Sequence, residues 1–221
     1  PRPETEVLAE RAIAWLRQRP SDQNARHSDR AGTLIAGEEM SRDADRATAA
    51  SPKPLQVLEL GTGSGCVAVS LAKAVSSCTV VAVELSWKAL QAARTNALAH
   101  RLDQRIRIVQ SDWSAGIRGQ FELIVSNPPY VPDEEVSCLH GRPGDPEMSL
   151  RGGADGMMFH RRLLVEAERM LSPGGALVME CAEAQAGPLH QMAGAAPWVN
   201  LAAPFLRGRL VACRPCWPDA P

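Results

Sequence analysis

Val57-Leu58-Glu59-Leu60 runs directly into Gly61-Thr62-Gly63-Ser64-Gly65, and the apolar stretch Val67 to Ala74 follows at once. No other segment restricts the fold so much. A short apolar strand, a glycine-rich turn and an apolar helix, in that order, make a crossover of the nucleotide-binding kind. Glycines let the turn be tight and let a ligand lie against bare backbone. A dinucleotide fingerprint would need G-x-G-x-x-G, with its third glycine serving helix packing. Here the spacing is G-x-G-x-G, and Cys66 holds the place of that third glycine. Alone, the turn points to a nucleotide without saying which.

The crossover repeats along the chain. Strands are predicted over Gln56–Leu60, Thr79–Glu84, Ile106–Gln110, Phe121–Ser126 and Ala176–Cys181. Between them, helices are predicted over Val67–Ala74, Trp87–Ala99 and Met158–Leu171, the last stopped by Ser172-Pro173-Gly174-Gly175. Strands separated by helices imply a parallel sheet of the α/β class. Two more strands, near Trp198–Leu201 and Arg209–Arg214, would close it, one of them antiparallel. An amphipathic helix from about Glu4 to Arg17 sets Leu8, Ala12, Trp15 and Leu16 on one face, with Glu4 and Glu6 in the first turn where the helix dipole favours anions. Gln18 to Pro54 is polar and lacks apolar period, a composition that predicts a disordered insertion, with partner binding as the other reading. The expected organisation is an N-terminal helix (1–17), the insertion (18–54), one α/β domain (55–214) and a short tail (215–221).

Chemistry-bearing residues collect at successive strand ends. Glu84 closes the second strand, at the distance where a carboxylate meets a ribose diol. Ser111-Asp112-Trp113 follows the third, an acid beside a flat ring that suits adenine. Asn127-Pro128-Pro129-Tyr130 follows the fourth. Two prolines in a row remove two N–H donors, fix φ and hold the preceding residues extended. That loop offers acceptors, the Asn127 side-chain oxygen and the Pro128 carbonyl, and no nucleophile. It suits a substrate bearing an NH2 group. Each feature has an ordinary structural reading: Asn-Pro as a turn, Glu84 as a solvated strand end, Trp113 as a core aromatic. Their arrival at three successive strand ends favours a ligand site.

Together, Glu59-Leu-Gly-Thr-Gly-Ser-Gly65, Glu84, Ser111-Asp-Trp113 and Asn127-Pro-Pro-Tyr130 resemble the S-adenosylmethionine-dependent methyltransferases of the class I Rossmann-like fold. Within that class the chain resembles the protein-(glutamine-N5) methyltransferases that modify peptide chain release factors. Pro1-Arg-Pro-Glu-Thr-Glu6, Asp145-Pro-Glu-Met-Ser-Leu150, Gly152-Gly153 and Asp155-Gly156 carry this narrower likeness. The chain departs from the pattern in having Glu84 for the usual Asp and Asp145 for the common Glu. The resemblance implies a three-layer sandwich around a mostly parallel seven-stranded sheet, with an antiparallel strand near the C-terminus. It implies that Gly61, Thr62, Gly63, Ser64, Gly65, Glu84 and Trp113 bind S-adenosyl-L-methionine with Asp112 near the adenine. Asn127, Pro128, Pro129 and Tyr130 would hold the substrate glutamine, with Asn127, Pro128 and Tyr130 catalytic and Asn127 also at the cofactor. The expected partner is a release factor presenting its Gly-Gly-Gln loop to a cytoplasmic monomer. Relatives carry a helical substrate-recognition domain ahead of the position of Pro1, so that domain is expected to be absent here.

Composition narrows the alternatives. The chain has 221 residues, of which 24 are basic and 25 acidic. It therefore lacks the basic excess on which phosphate contacts with nucleic acid depend. This disfavours adenine-N6 methylation of DNA or RNA, although the same acceptors fit adenine's exocyclic amine. A cofactor-binding homologue without catalysis is the third reading. No apolar run approaches 18 residues, so no membrane span is expected. Cys213-x-x-Cys216 stands alone in a proline-rich tail, and Cys66, Cys78, Cys138 and Cys181 are scattered, as free thiols are. His27, His100, His140, His160 and His190 show no ligand spacing, so surface or loop roles are expected and no metal. Glu180 and Glu183 flank the end of Ala176–Cys181, near where cofactors sit in such sheets, and read as a solvated strand end before a cofactor contact.

Overall fold

The computed structural model describes residues 3–19, 53–136, 147–193 and 208–213. Within these it is a six-stranded sheet with helices on both faces. In chain order the elements are α1 (Pro3–Arg17), β1 (Leu55–Leu60), α2 (Cys66–Ala74), β2 (Cys78–Glu84), α3 (Trp87–Ala99), β3 (Ile106–Gln110) and β4 (Phe121–Ser126). They continue with α4 (Asp133–Val136), α5 (Met158–Met170), β5 (Leu171–Ala182), α6 (Glu183–Ala193) and β6 (Gly208–Cys213), and a single 3-10 turn lies at Glu147–Ser149. The strand order is β3-β2-β1-β4-β5-β6. All neighbours run parallel except β5 and β6, which are antiparallel.

Alternation along the strands divides the core. Val57, Val80, Ala82, Leu123, Val125, Ala176 and Val178 face α1 and α2, where Leu8, Ala12, Leu16, Val67 and Leu71 meet them. Leu58, Leu60, Val83, Ile124, Leu177 and Met179 face the other way, onto Leu163, Ala167 and Met170 of α5 and Leu189 of α6. Side chains of a strand alternate between faces, and with both faces covered the strands read as continuous apolar runs. The predicted α1 face is observed, with Leu8, Ala12 and Leu16 buried and Trp15 half-buried. Arg17 adds a bond from Nη2 to the Ala74 carbonyl at 3.3 Å, joining the last turns of α1 and α2.

Two expectations change, and others fall on residues that are not described. The described residues hold six strands; the seventh, expected near Trp198–Leu201, lies outside them, as do the 18–54 insertion over most of its length and the 215–221 tail. Ser172-Pro173-Gly174-Gly175 does not separate α5 from β5 but belongs to β5. Gly174 takes φ +70° and the register with β4 shifts between Phe121 and Leu123, so the strand absorbs its breakers as an irregularity. Finally, α6 was not anticipated, because Gly187 and Pro188 interrupt its apolar pattern. Burial of Ala186, Leu189 and Ala193 compensates.

Beneath the glycine turn, Glu59 of β1 is only 3% exposed. Its Oε2 accepts from the Thr62 hydroxyl at 2.6 Å. Burial pushes its carboxyl up to about 8, against the lowering effect of the Thr62 hydroxyl and the Ala68 amide, and nearby Glu84 pushes it further up. Ala68 lies in the first turn of α2, whose cap residue Gly65 has no side chain to offer. A carboxyl with its folded pKa above the unfolded value binds more protons in the folded state. Stability therefore falls as pH rises from about 4.5 through about 8. Thermal melts across that window should show a decline in the parent that Glu59→Gln flattens, because the amide still accepts from Thr62 and does not ionise.

Candidate active site

The strand order reverses between β1 and β4, which opens a crevice outside their carboxyl ends. Leu60 and Ser126, the last residues of the two strands, are register partners. The fully buried Ser126 donates its hydroxyl to the Leu60 carbonyl at 2.8 Å. The glycine turn and the Asn127-Pro128-Pro129-Tyr130 loop therefore leave the sheet side by side.

In the turn, Gly61, Gly63 and Gly65 have φ of +73°, +57° and +77°, which only glycine adopts without strain. They do different things. A Cβ on Gly61 or Gly63 would meet nothing within 4 Å, so their backbone faces open space. A Cβ on Gly65 would lie 3.0 Å from the Ala93 Cβ, so this glycine lets α2 approach α3. Gly65 thus does the packing expected of the missing third glycine. Asn96 of α3 donates from Nδ2 to the Ser64 carbonyl at 2.8 Å, and the Thr62 hydroxyl is committed to Glu59.

Glu84 reaches back to this turn. Its Oε2 accepts from the Gly63 N–H at 2.8 Å, and its Oε1 from the Leu85 and Ser86 N–H groups, each at 2.9 Å. A carboxylate has about four lone-pair sites, so one acceptor position remains for a hydroxyl. The bare backbone over Gly61 and Gly63, flanked by a fixed carboxylate, fits a ribose-bearing cofactor. Beside it, Trp113 adopts φ +50°, unusual for a bulky residue. Its ring stacks on Phe159 with centroids 4.8 Å apart, and the Arg162 guanidinium lies 5.8 Å from its centre. Asp112 is exposed and pairs through Oδ1 with Arg162 Nη1 at 3.2 Å. An adenine reaching Asp112 would have to share that carboxylate with Arg162.

The acceptor loop is held from three directions. The Asn127 Nδ2 donates to Thr5 Oγ1 of α1 at 3.2 Å, which leaves the Oδ1 edge to accept from a ligand. The Tyr130 hydroxyl donates to Glu180 Oε1 at 3.0 Å. Gln185 Nε2 donates to the Tyr130 carbonyl at 2.8 Å and to the Gly156 carbonyl at 3.1 Å. Pro128 is buried, and Pro129 and Tyr130 are half-buried. Behind the loop, Val131 N–H bonds to the Leu150 carbonyl at 2.9 Å and Gly152 N–H to the Val131 carbonyl at 2.7 Å. A Cβ on Gly152 would stand 2.8 Å from the Tyr130 Cα, so a side chain there would displace the loop. The stretch around Gly152, Gly153 and Gly156 is thus the backing of the acceptor loop. Asp145 lies outside the described residues.

Two residues expected at the surface are interior. Glu180 is 3% exposed, a solvated strand end in neither burial nor bonding, while neighbouring Glu183 is exposed as expected. His160 is fully buried, with Nε2 2.9 Å from the Glu180 carbonyl. Burial pushes its pKa down, so the ring is neutral and donates from Nε2. In sequence, Thr5 figures only within the Pro1 to Glu6 likeness, Glu180 only as a strand end, and Gln185 not at all; the Asn-Pro-Pro-Tyr loop carries a local signature, and its supports are scattered along the chain. Beyond Tyr130 opens a cleft of about 730 Å³ between the turn at Asp155 and Met157 and α6 at Pro188 and Met192. Among the described residues no cluster of His, Cys, Asp or Glu could hold a metal, Cys66, Cys78 and Cys181 are in no disulfide, and no helix is long and apolar enough to cross a membrane.

Comparison with known proteins agrees with this geometry. Residues 47–140 match the methyltransferase small domain. A release factor glutamine methyltransferase of Bradyrhizobium diazoefficiens is 34% identical over 201 residues, 90% of this chain and 58% of that protein. A ribosomal protein uL3 glutamine methyltransferase of Neisseria meningitidis is 40% identical over 124 residues, 56% of this chain and 41% of that protein. The chain thus spans about half the length of these relatives. The solved structure of a methyltransferase from Pyrococcus furiosus, 22% identical, superposes with a TM-score of 0.56 over 73% of this chain and 76% of its own. Its likeness extends to the fold, the class I methyltransferase sandwich. With a glycine turn and an acceptor loop joined at the switch point of that sandwich, the chain matches the methyltransferase small domain over residues 47–140 and is similar to proteins named as glutamine methyltransferases.

Proposed function

We propose that this chain transfers a methyl group from S-adenosyl-L-methionine to the side-chain amide nitrogen of a glutamine in a protein. The observation that carries the reading is the orientation of Asn127: with Nδ2 committed to Thr5, its Oδ1 is the edge left to accept from an incoming amide. The names of the two relatives support a protein glutamine as acceptor. Coverage of 90% of the chain favours a release factor, with its Gly-Gly-Gln loop as the site. The higher identity to a uL3 enzyme makes that ribosomal protein the second candidate.

An amide nitrogen is a poor nucleophile because its lone pair is delocalised into the carbonyl, the resonance behind a rotation barrier of about 18–20 kcal/mol. If Asn127 Oδ1 holds one amide hydrogen and the Pro128 carbonyl the other, the nitrogen can pyramidalise with its lone pair directed outward. Orientation of that kind supplies up to about 7–11 kcal/mol of a barrier. Tyr130 covers the acceptor and excludes water. The cofactor would supply the methyl on a sulfonium whose sulfur leaves with the bonding pair, and the methylated nitrogen would lose its surplus proton through the acceptor that holds it to water, so this chain needs no metal and no strong base. Its residues hold the donor by the bare backbone of Gly61 and Gly63 and by Glu84, with Trp113 and Asp112 on the adenine side and Thr62, Ser64 and Gly65 shaping the turn.

Incubation with methyl-labelled cofactor and release factor, uL3 or an adenine-containing oligonucleotide tests the assignment. Label should appear on glutamine; label on adenine, or binding without transfer, would overturn it. Asn127→Ala should lower kcat by on the order of 10²-fold or more while cofactor binding stays close to the parent's. Glu84→Ala should weaken cofactor binding by about ten- to a hundred-fold, the worth of a charge-assisted hydrogen bond, as read by calorimetry.

A further inference from the structure

The end of β5 and the start of α6 contribute two buried polar side chains to the acceptor loop. Glu180 is 3% exposed and Gln185 is 7% exposed. Burying a carboxylate or an amide costs free energy unless its hydrogen bonds are made. Each makes one of them to the same residue, Tyr130. Glu180 takes the Tyr130 hydroxyl and, through its backbone carbonyl, the ring N–H of His160, which fixes the strand end to α5. Gln185 takes the Tyr130 carbonyl and the Gly156 carbonyl with its two N–H donors, while its Oε1 accepts from Ala182 N–H at 3.0 Å. Gly156, with φ +72°, leaves room for this, since a Cβ there would lie 2.6 Å from the Gln185 Nε2.

We propose that Glu180 and Gln185 are positioning residues that fix the two ends of Tyr130, hydroxyl and carbonyl, so that its ring stands over the acceptor amide in one orientation. The inference deepens the proposed function, resting on Tyr130 as the cover of the acceptor. A tyrosine in a half-buried loop has two side-chain torsions to settle. An anchor at the backbone alone leaves the ring free to swing, and one at the hydroxyl alone leaves the loop free to shift. Displacement of about 1 Å at a reacting centre can cost about 10²-fold in rate. Glu180 suits the hydroxyl end because its Oε1 accepts from the hydroxyl at 3.0 Å while its own strand end is held to α5. Gln185 suits the carbonyl end because its amide bridges two backbone oxygens at once.

Tyr130 is the chain's single tyrosine, so tyrosine labelled in the ring reports on it alone by NMR, with or without turnover. In Glu180→Ala and Gln185→Ala the ring signal should move toward that of free tyrosine, and in Glu180→Gln, which keeps an acceptor oxygen, it should stay near the parent's. In transfer assays on a glutamine-bearing release factor, Tyr130→Phe and Glu180→Ala should each lower kcat by on the order of 10²-fold with cofactor binding retained. The double variant should lose no more than either single one. An unmoved ring signal in both alanine variants, or additive losses in the cycle, would overturn the proposal. If Glu180→Ala does not fold, Gln185→Ala and the comparison of Glu180→Gln with Tyr130→Phe decide it, since a purely structural Glu180 predicts parental turnover in Tyr130→Phe. Absence of glutamine methylation by the parent would sink the proposed function, and the ring signal would still judge the positioning.

Discussion

The pairing of β1 with β4 is the contact on which the rest of the site depends. Neither strand is adjacent to the other in sequence, yet Leu60 and Ser126 sit opposite one another and the Ser126 hydroxyl bonds the Leu60 carbonyl. Helices leave β1 and β2 on one face and β5 on the other, so the carboxyl ends of the central strands stay open. Two loops with no common sequence feature then share a wall. One exposes bare backbone; the other presents acceptors on a stiff chain. In the proposed reaction a donor held by the first would lie against an amide held by the second.

The same edge of the sheet concentrates the polar groups that a core would ordinarily exclude. Glu59, His160, Glu180 and Gln185 are all buried there. Each has partners that lie in a different element, and in this way polar bonds, which have direction, set orientations that apolar packing leaves loose. Glu59 serves the turn through Thr62, and Glu180 and Gln185 serve the acceptor loop through Tyr130. Where charge meets solvent the bonds are of another sort: Asp155 and Arg161 pair in the open, and Arg161 with the Met157 N–H holds the Asp155 carboxyl down at about 2.

The sheet was legible because its strands are short apolar runs ended by glycine, acid or proline. Trp87–Ala99, Ile106–Gln110 and Phe121–Ser126 match their predicted limits. The reading lapsed where one signal contradicted another. Ser172-Pro173-Gly174-Gly175 says stop, but pairing with β4 carries the strand through it. Gly187 and Pro188 say loop, but burial of Leu189 holds the helix. In the site, the glycine turn, Glu84 and the Asn-Pro-Pro-Tyr loop announce themselves because the chemistry is local. Thr5, Glu180 and Gln185 do not, because a threonine, a glutamate and a glutamine become informative only when the fold shows what they touch. His160 was misjudged for the same reason.

The bond from Asn127 to Thr5 spans 122 positions of the chain. It places a residue of the first helical turn in the same pocket as the acceptor loop, while the helix that carries it is fastened by Leu8, Ala12 and Leu16 to α2 and the sheet. The attachment is thus through a packed face, independent of the covalent path between Arg17 and Leu55. Loop-closure entropy grows only with the logarithm of loop length, about 0.6 kcal/mol for each doubling. The connecting chain can therefore lengthen or shorten over evolutionary time at little energetic penalty. The register of the first turn, set by where Leu8 docks, thus decides whether Thr5 meets Asn127 at all.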